Sequence, residues 1–387
     1  MNTYWDLIII GSGPSGLATA LGAKLNGVEK VLVLEKNQGV GCRLIGQSIH
    51  YKPDLIKQIF QNSIPTKAFV SKIQTFGRNY YSPSGKKRLH IEDNIKRVWI
   101  DFRLFLEKLA VQALKTGVKL RTSSEVVKIE GKENGDQVVY VQDPVKNHNI
   151  RFISKLNVIA TGSDGFKGRL YHTLNLLTPN PICPIIANHF TGEYNKKNME
   201  FFFYSDIENG VGGTSYIFPH SSDIAEFGVI LFTDVSKQPL PNIWNIWSKI
   251  LKSYKIKSII DPLNVYNITA ATIPMGGPLS KVYTDKLFII GEAAGHVTPT
   301  GGSGILTGLE MGYYLGKQLG KSKDNWCETT FQTIESQIIS HPIHEKLLLM
   351  ANMILPYRKK IFLDLGTWDR IDSEWDEIAG LLSLAFG

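Results

Sequence analysis

Short, continuous apolar runs separated by glycine turns characterise the start of the chain. Residues 6–10 and 31–34 are branched apolar runs bounded by polar or glycine positions, which is typical of strands buried on both faces of a parallel sheet. Residues 17–25 lie between them and form a mostly apolar stretch of helical length. The pattern predicts a strand, a glycine turn, a helix and a second strand, which together make one unit of an α/β fold.

Helical patterns recur later in the chain. Between residues 101 and 115 the apolar positions repeat every three or four residues, which predicts a helix that Gly117 ends. Segment 44–64 is interpreted as a helix with loops. The C-terminal part, 327–387, is interpreted as helices with breaks at its two prolines, Pro342 and Pro356.

The middle of the chain has the pattern of an inserted antiparallel sheet. Residues 170–270 contain alternating aromatic and β-branched runs split by Gly and Asn turns, and 66–99 contain a hairpin turn at 80–85. Buried runs at 156–160 and 287–290 return to the pattern of the first strands. We therefore expect a discontinuous nucleotide-binding domain formed by residues 1–65, 100–165 and 271–325. An inserted substrate domain is expected at residues 66–99 and 166–270. A C-terminal helical region is expected at residues 326–387.

Charge and cysteine usage narrow the classes of partner. Lys and Arg number 43 against 35 Asp and Glu, a formal net charge of +8, which favours phosphorylated cofactors, anionic lipid or nucleic acid. The basic residues are scattered and no nucleic-acid motif occurs, so we expect no nucleic-acid partner. Cys42, Cys183 and Cys327 are too widely spaced for a metal motif or a disulfide framework, so we expect no metal site and a reducing, cytoplasmic location.

Targeting segments are not expected either. The glycine turn begins so early that no signal peptide fits before the first strand, and no stretch of 18 uncharged apolar residues predicts a membrane span.

The first turn carries a dinucleotide-binding motif. It reads Gly11-Ser12-Gly13-Pro14-Ser15-Gly16, and Glu35 ends the second strand 19 residues after Gly16. In such a motif the first glycine permits a tight turn, the second lets the backbone approach a pyrophosphate, and the third lets the helix pack on the strand. The helix N-terminus favours the anion, and the acid accepts from ribose hydroxyls. The motif does not distinguish between dinucleotides.

A second glycine-rich strand-to-helix turn spans residues 291–305. It reads Gly291-Glu292-Ala293-Ala294-Gly295 and continues through Pro299 to Gly302-Ser303-Gly304-Ile305. Together with a strand ending in Ala160-Thr161-Gly162, it resembles the second FAD motif of flavoproteins with the p-hydroxybenzoate hydroxylase fold. The resemblance implies an α/β, Rossmann-like FAD-binding domain of that type with an inserted antiparallel-sheet domain, and FAD as the cofactor. The chain departs from the pattern at Glu292, where relatives carry Asp.

Within that fold group the chain resembles the geranylgeranyl reductase family. Segment 272–278 is similar to the strand and turn before the second FAD motif there, and 212–219 to an aromatic segment that lines the isoprenoid pocket. Cys42 lies where many members have a Cys-Gly-Gly run, but its two glycines are replaced here. The resemblance implies FAD contacts from Gly11, Ser12, Gly13, Pro14, Ser15, Gly16, Glu35, Lys36, Arg43, Arg103, Val127, Thr161, Gly162, Gly291, Glu292, Gly295, Pro299, Gly302, Gly304 and Ile305.

The resemblance also implies an activity. Members reduce C=C bonds of prenyl chains by hydride transfer from reduced flavin, with NAD(P)H or a small redox protein as electron donor. Cys42 is the candidate proton donor; alternatively it is a small buried packing residue, and His50 is a second candidate. Tyr216, Phe218 and Pro219 are candidate substrate-pocket walls, or else core residues of a strand.

Two other functions remain open at this point. An FAD-dependent monooxygenase or halogenase of the same fold would use O₂ and a flavin hydroperoxide, and a non-catalytic flavin-binding protein would hold FAD without turnover. Either a hydrophobic small molecule or a lipid fits the expected pocket. Residues 343–362 combine apolar positions with Arg358-Lys359-Lys360, which is compatible with peripheral contact at a membrane surface. The oligomeric state is unknown.

Overall fold

Most of the chain is described by a computed structural model. The described residues are 3–42, 48–92, 94–142, 149–191, 198–206, 211–221, 223–232, 242–252, 265–359 and 373–386.

The first sheet carries the apolar runs that open the chain. Its eight strands among the described residues are β1 Thr3–Ile10, β2 Val31–Leu34, β7 Lys119–Arg121, β8 Glu125–Gly131, β9 Gln137–Gln142, β10 Asn149–Ile159, β16 Tyr283–Thr284 and β17 Leu287–Ile289. The order is β16-β17-β10-β1-β2-β7, and β9 and β8 extend it from β10. Pairs β1–β10, β1–β2, β2–β7 and β10–β17 are parallel. Their buried apolar side chains form the core that fixes the carboxyl ends of β1, β2 and β10 beside one another.

The second sheet confirms the inserted antiparallel structure. Its strands are β4 Arg78–Tyr81, β5 Arg88–Ile91, β11 Ile182–Thr191, β12 Met199–Asp206, β13 Val211–Pro219, β14 Ile224–Leu231 and β15 Val265–Pro274. The order is β15-β11-β14-β13-β12-β4-β5, and the pair β12–β4 is parallel while the others are antiparallel. The hairpin predicted at 80–85 joins β4 to β5.

One local prediction is wrong in part. Segment 44–64 includes a strand, β3 Ser48–His50, which pairs antiparallel with β6 Arg97–Trp99. Its partner lies almost 50 residues away in the sequence, so a local apolar pattern could not reveal the pairing. Residues 43–47 lie outside the described residues.

Helices cover the first sheet and form the C-terminal part. They are α1 Pro14–Leu25, α2 Pro53–Ile59, α3 Phe102–Lys115, α4 Arg169–Leu174, α5 Ile243–Leu251, α6 Ile305–Lys321, α7 Glu328–Ile339, α8 Pro342–Lys359 and α9 Trp375–Phe386. The break predicted at Pro356 is wrong, because this proline lies inside α8. It lies in the last turn, where a missing N–H removes a single backbone bond near the helix end. Pro342 starts α8, a position that tolerates proline because the N–H there has no helical partner.

Helices α1 and α6 approach each other through glycines. A Cβ added at Gly22 would lie 2.6 Å from the carbonyl oxygen of Tyr313, and one at Gly316 would lie 2.2 Å from that of Thr19. A Cβ at Gly312 would lie 2.3 Å from the carbonyl oxygen of Ser15. The absence of side chains therefore lets the two backbones touch and holds the start of each helix beside the other. In the described part of the chain, no helix has both the length and the apolarity needed to cross a bilayer.

Candidate functional site

A cavity of about 260 Å³ lies at the carboxyl ends of the parallel strands, where α/β folds bind ligands. Both glycine-rich turns contribute to its wall. Of the predicted cofactor-binding and catalytic residues, those that line the cavity are Gly11, Ser12, Gly13, Pro14, Ser15, Glu35, Lys36, Cys42, Thr161, Gly162, Glu292, Gly302, Gly304 and Ile305. Those outside its lining are Gly16, Arg103, Val127, Gly291, Gly295, Pro299, Tyr216, Phe218 and Pro219. Arg43 lies outside the described residues.

The first turn places α1 against the cavity. Gly11 adopts a φ of +108°, which favours glycine, and its N–H donates to the carbonyl oxygen of Leu34 at 2.8 Å. A Cβ at Gly16 would lie 2.0 Å from the carbonyl oxygen of Gly11, so this glycine permits helix and turn to touch. At Gly13, by contrast, a Cβ would meet nothing within 4 Å. The space above Gly13 is therefore open at the N-terminus of α1, where a phosphate is stabilised.

Glu35 is held in position by backbone and side-chain donors. The Ser12 N–H and hydroxyl donate to its Oε2 at 2.9 and 2.7 Å, and the Asn37 N–H donates to Oε1 at 2.9 Å. The side chain is buried yet lines the cavity. A carboxylate has about four acceptor positions, so after these three bonds it retains about one for a ribose hydroxyl.

The second turn presents a carboxylate and another helix start. Oε1 of Glu292 lies 3.0 Å from the hydroxyl of Ser163, which is also 2.5 Å from the carbonyl oxygen of Thr272. The first backbone bond of α6 is from Gly308 N–H to the carbonyl oxygen of Gly304 at 2.9 Å, so the N–H groups of its first turn have no helical partner, and residues 302–305 at this helix start line the cavity. The longer side chain of Glu292 is thus compatible with a site facing a polyol chain.

These features fit FAD. The open space above Gly13 and the start of α1 suit the pyrophosphate, Glu35 suits the adenosine ribose, and Glu292 suits the ribityl hydroxyls. The start of α6 gives a positive end that suits the flavin ring. The two helix starts face one cavity because α1 and α6 are packed together.

Tyr171 is a cavity residue that sequence reasoning missed. It lies in α4, nine residues after the Gly162 that ends the Ala-Thr-Gly run, and its buried hydroxyl lies beside Thr161 of that run. Burial raises the pKa of this phenol well above its usual range, so it stays protonated and available as a donor. Ser163, next to Gly162, was visible in the sequence, but its contact with Glu292 depends on a residue 129 positions away.

Cys42 lies at the cavity rim. Its side chain is exposed, so the alternative that it is a buried packing residue is wrong. The thiol donates to the carbonyl oxygen of Gly39 at 3.2 Å. Nearby, Arg103 is directed toward solvent and pairs with Glu107 at 3.0 Å.

Val127 lies where the register between β8 and β9 shifts. Its neighbour Val126 lines the cavity instead. A strand irregularity changes which side chain faces a given surface, and sequence alternation alone does not locate it.

The aromatic segment of β13 lies behind one wall of the cavity. Tyr216 is buried and stacks on Phe218 with ring centroids 4.3 Å apart. It packs in one apolar cluster with Ile273 and Val297, both of which line the cavity. Pro219 is buried at the end of the strand. Burial and the adjacent Glu226 raise the pKa of Tyr216, whose hydroxyl donates to Oε1 of Glu226 at 2.8 Å.

His296 stabilises the second turn from behind. The Gly291 N–H donates to its Nδ1 at 3.1 Å, and its Nε2 lies 3.2 Å from Nδ1 of His344. Because Nδ1 accepts, the neutral ring carries its proton on Nε2 and donates it to His344. Burial lowers the pKa of His296 to about 3, with a further contribution from His344. This histidine therefore orders the turn and does not line the cavity.

Comparisons with known proteins agree with this geometry. A family model described as FAD binding domain matches residues 6–45. The chain is 24% identical over 372 residues to a digeranylgeranylglycerophospholipid reductase of Methanocaldococcus jannaschii, with 90% of this chain and 88% of that protein covered. A reductase of the same name from Methanococcus vannielii is 25% identical over 337 residues, with coverage of 86% and 82%.

Solved structures share the fold. A geranylgeranyl bacteriochlorophyll reductase-like protein from Thermoplasma acidophilum superposes with a TM-score of 0.75 at 16% identity, covering 100% of both chains. The flavin-dependent brominase Bmp2 gives a TM-score of 0.69 at 17% identity, covering 100% of this chain and 95% of that one. At these identities the superpositions show the α/β FAD-binding fold with its inserted sheet. Motifs, relatives and fold together identify the chain as an FAD-dependent oxidoreductase that resembles the geranylgeranyl reductases.

Proposed function

We propose that this protein reduces C=C bonds in a prenyl chain or another long apolar substrate. The observation that supports this best is the similarity to digeranylgeranylglycerophospholipid reductases, which extends over 90% of the chain. The apolar sheet face behind the cavity gives a second line of support, because Ile273 and Val297 join it to the cofactor cavity.

The chain's own residues would position substrate and exclude water. An isolated alkene is a poor electrophile, so alignment and a dry pocket matter more than acid catalysis. FAD in its reduced form would supply the hydride when bound. Phe102 and Leu106 of α3 contribute apolar side chains to the cavity lining, whereas Glu35 contributes a carboxylate. We propose that Tyr216, Phe218 and Pro219 form the wall that an apolar chain contacts beyond it.

A proton must reach the carbon that does not receive the hydride. We propose Cys42 as its donor, because the thiol is exposed at the cavity rim and can be reprotonated from solvent. Electrons would come from NAD(P)H or a small redox protein. Anaerobic mixing with NADPH, NADH or reduced ferredoxin, followed at the flavin absorbance band, identifies the donor by the rate of bleaching.

In this proposal the two sheets have different roles, one in binding the cofactor and the other in binding the substrate. Residues 1–65, 100–165 and 271–325 would hold FAD, and 66–99 with 166–270 would hold the substrate. Residues 326–387 would support them.

The lipid nature of the substrate suggests contact with a membrane surface. Leu348, Leu349 and Met353 of α8 are exposed apolar side chains, which is a feature of helices that lie on bilayers. We propose that this face touches the lipid headgroup region. Flotation with anionic vesicles tests it: Leu349→Glu should lower the bound fraction, and equal flotation of both proteins would contradict the proposal.

The decisive experiment uses the FAD-loaded protein reduced with dithionite under argon. Digeranylgeranylglycerophospholipid is added, and the product is analysed by mass spectrometry. We expect two hydrogens gained for each double bond lost, and no change with oxidised protein. A product that gains oxygen or halogen in air, with its double bonds intact, would instead indicate a monooxygenase or halogenase. Bound FAD with no product under any condition would indicate a non-catalytic protein.

A further inference from the structure

Two histidines and one glutamate meet inside the second sheet, away from the cofactor cavity. His189, His220 and Glu226 are 4%, 6% and 3% exposed. Strand register explains the meeting. His189 of β11 pairs directly with Glu226 of β14, so the two side chains lie on one face. On the other side of β14, Glu226 pairs with Phe218, and His220 follows two residues later.

The distances between the histidine nitrogens and the glutamate oxygen are longer than those of usual charged hydrogen bonds. Nε2 of His220 lies 3.4 Å from Oε2 of Glu226, and Nε2 of His189 lies 3.9 Å from the same oxygen. Charged hydrogen bonds are usually about 2.7–2.9 Å long. Nε2 of His220 is buried, and among the described residues it faces Glu226 only at this long distance. The three ligand atoms all lie within 4.8 Å of one another.

The spacing of His220 and Glu226 equals that of two ligands on one metal ion, and His189 lies about half an ångström farther from the same oxygen. Ligands about 2.0–2.1 Å from a zinc ion in tetrahedral geometry are roughly 3.3–3.4 Å from each other. Two imidazole nitrogens and one carboxylate oxygen form a common donor set for zinc and for ferrous iron. A single buried carboxylate could be neutralised by one protonated histidine, but that would not explain why two rings face the same oxygen.

The surroundings of the cluster are those that orient metal ligands. The Tyr216 hydroxyl donates to Oε1 of Glu226, the oxygen that faces away from the histidines, at 2.8 Å. The side-chain amide of Asn267 lies 3.3 Å from Nδ1 of His189, and with its oxygen turned toward the ring it would accept Nδ1–H and leave Nε2 free for the ion. The His220 ring stacks on Trp99 with centroids 4.3 Å apart. Contacts of this kind fix ring orientation and carboxylate geometry around bound metals.

We propose that His189, His220 and Glu226 bind a divalent first-row transition-metal ion, with Zn²⁺ as the ion that the donor set favours and small shifts of the His189 ring closing the site around it. The ion would join β11, β13 and β14 in the sheet that also carries Tyr216. It would thereby fix the aromatic wall behind the cofactor cavity. The proposal is independent of the substrate and of the reaction that FAD supports.

The test uses FAD-loaded protein that has been dialysed against a chelator and then against metal-free buffer. Zn²⁺ is titrated by calorimetry, and the Co²⁺ complex is examined by visible absorption. We expect one ion per chain, a raised melting temperature with Zn²⁺, and Co²⁺ bands without a thiolate charge-transfer band. Glu226→Gln keeps the size of the side chain and should weaken binding by at least roughly 100-fold. His172→Gln is the matched control, because His172 is exposed on α4 and should leave binding unchanged.

Several results would overturn the proposal. One is the absence of stoichiometric binding in the unmodified protein. Another is equal binding by Glu226→Gln and the control. If Glu226→Gln does not fold, the Co²⁺ spectrum of the unmodified protein decides, since a thiolate band would assign the ion to a cysteine instead. The flavin absorbance of each sample shows that FAD is retained throughout, so metal binding is measured apart from catalysis.

Discussion

Gly316 offers a direct test of how the two glycine-rich turns at the cavity are held together. A Cβ at this position would lie 2.2 Å from the carbonyl oxygen of Thr19 and 2.7 Å from the backbone nitrogen of Ala23. Both obstacles are backbone atoms of α1, so no side chain can rotate away. Gly316→Ala therefore requires α1 and α6 to separate.

The size of the effect follows from two opposing contributions. Normal carbon–oxygen contact is at least about 3.2 Å, so the helices would have to move apart by roughly 1 Å. Overpacking of this kind costs about 1–3 kcal/mol, and rigid backbone obstacles place this site at the upper end. Alanine gains about 1 kcal/mol over glycine in helix propensity. We expect a net loss of about 2 kcal/mol in the free energy of unfolding, and weaker FAD retention because both helices begin at the cavity.

Urea denaturation and the ratio of flavin to protein absorbance measure the two effects. Gly380→Ala is the control, because this glycine lies in α9 and a Cβ there meets nothing within 4 Å. The control should be more stable by up to about 1 kcal/mol through helix propensity alone. If Gly316→Ala were as stable as Gly380→Ala and kept its FAD, the close helix contact would not exist as described.

Three further predictions concern the site and its support. Glu35→Gln places an amide donor among the three donors that face the carboxylate. The Kd for FAD, measured by titration of the apoprotein, should therefore rise roughly 10–100-fold. An unchanged Kd would show that Glu35 does not contact FAD. The Cys42→Ser and Cys42→Ala variants should keep FAD but no longer form the reduced lipid product. Full product formation in both variants would exclude the thiol as proton donor. The pKa of His296 is about 3 in the folded protein, below its value in an unfolded chain. As the pH falls, the unfolded state therefore binds the proton first, and the free energy of unfolding declines below about pH 6.5. The loss is on the order of 2 kcal/mol at pH 5. His296→Asn keeps an acceptor for Gly291 N–H and should flatten the stability profile between pH 7 and pH 4; an equally steep profile would assign the pH dependence elsewhere.

Local sequence signals were sufficient to predict the two glycine-rich turns. Strand, glycine turn and helix are consecutive in the chain at Gly11–Gly16 and again at 291–305, so apolar runs and glycine spacing reveal each of them. Glu35 was equally visible, because it ends the next strand. The alternating aromatic runs of 170–270 predicted the antiparallel sheet for the same reason.

Signals that depend on strand register were invisible. His189 and Glu226 are 37 residues apart and become neighbours only because β11 pairs with β14 in one register. No metal site was predicted, because the three cysteines do not have the spacing of a metal motif. Tyr171 lines the cavity through a short helix whose position depends on the sheet beneath it. Pro356 shows a different limit, because the cost of proline in a helix falls near the end and does not always break it.

The glycine contact between α1 and α6 has a consequence for the order in which the protein can be made. Gly22 and Gly316 are about 290 residues apart, and at synthesis rates of about 5–20 residues per second α1 waits roughly 15–60 s for its partner. For about the first half of that time β1 also lacks β10, and until α6 is made the glycine-lined face of α1 stays uncovered. Nascent chains shorter than 321 residues should therefore bind no flavin and rely on chaperones. Flavin capture would be among the last events in the maturation of this protein.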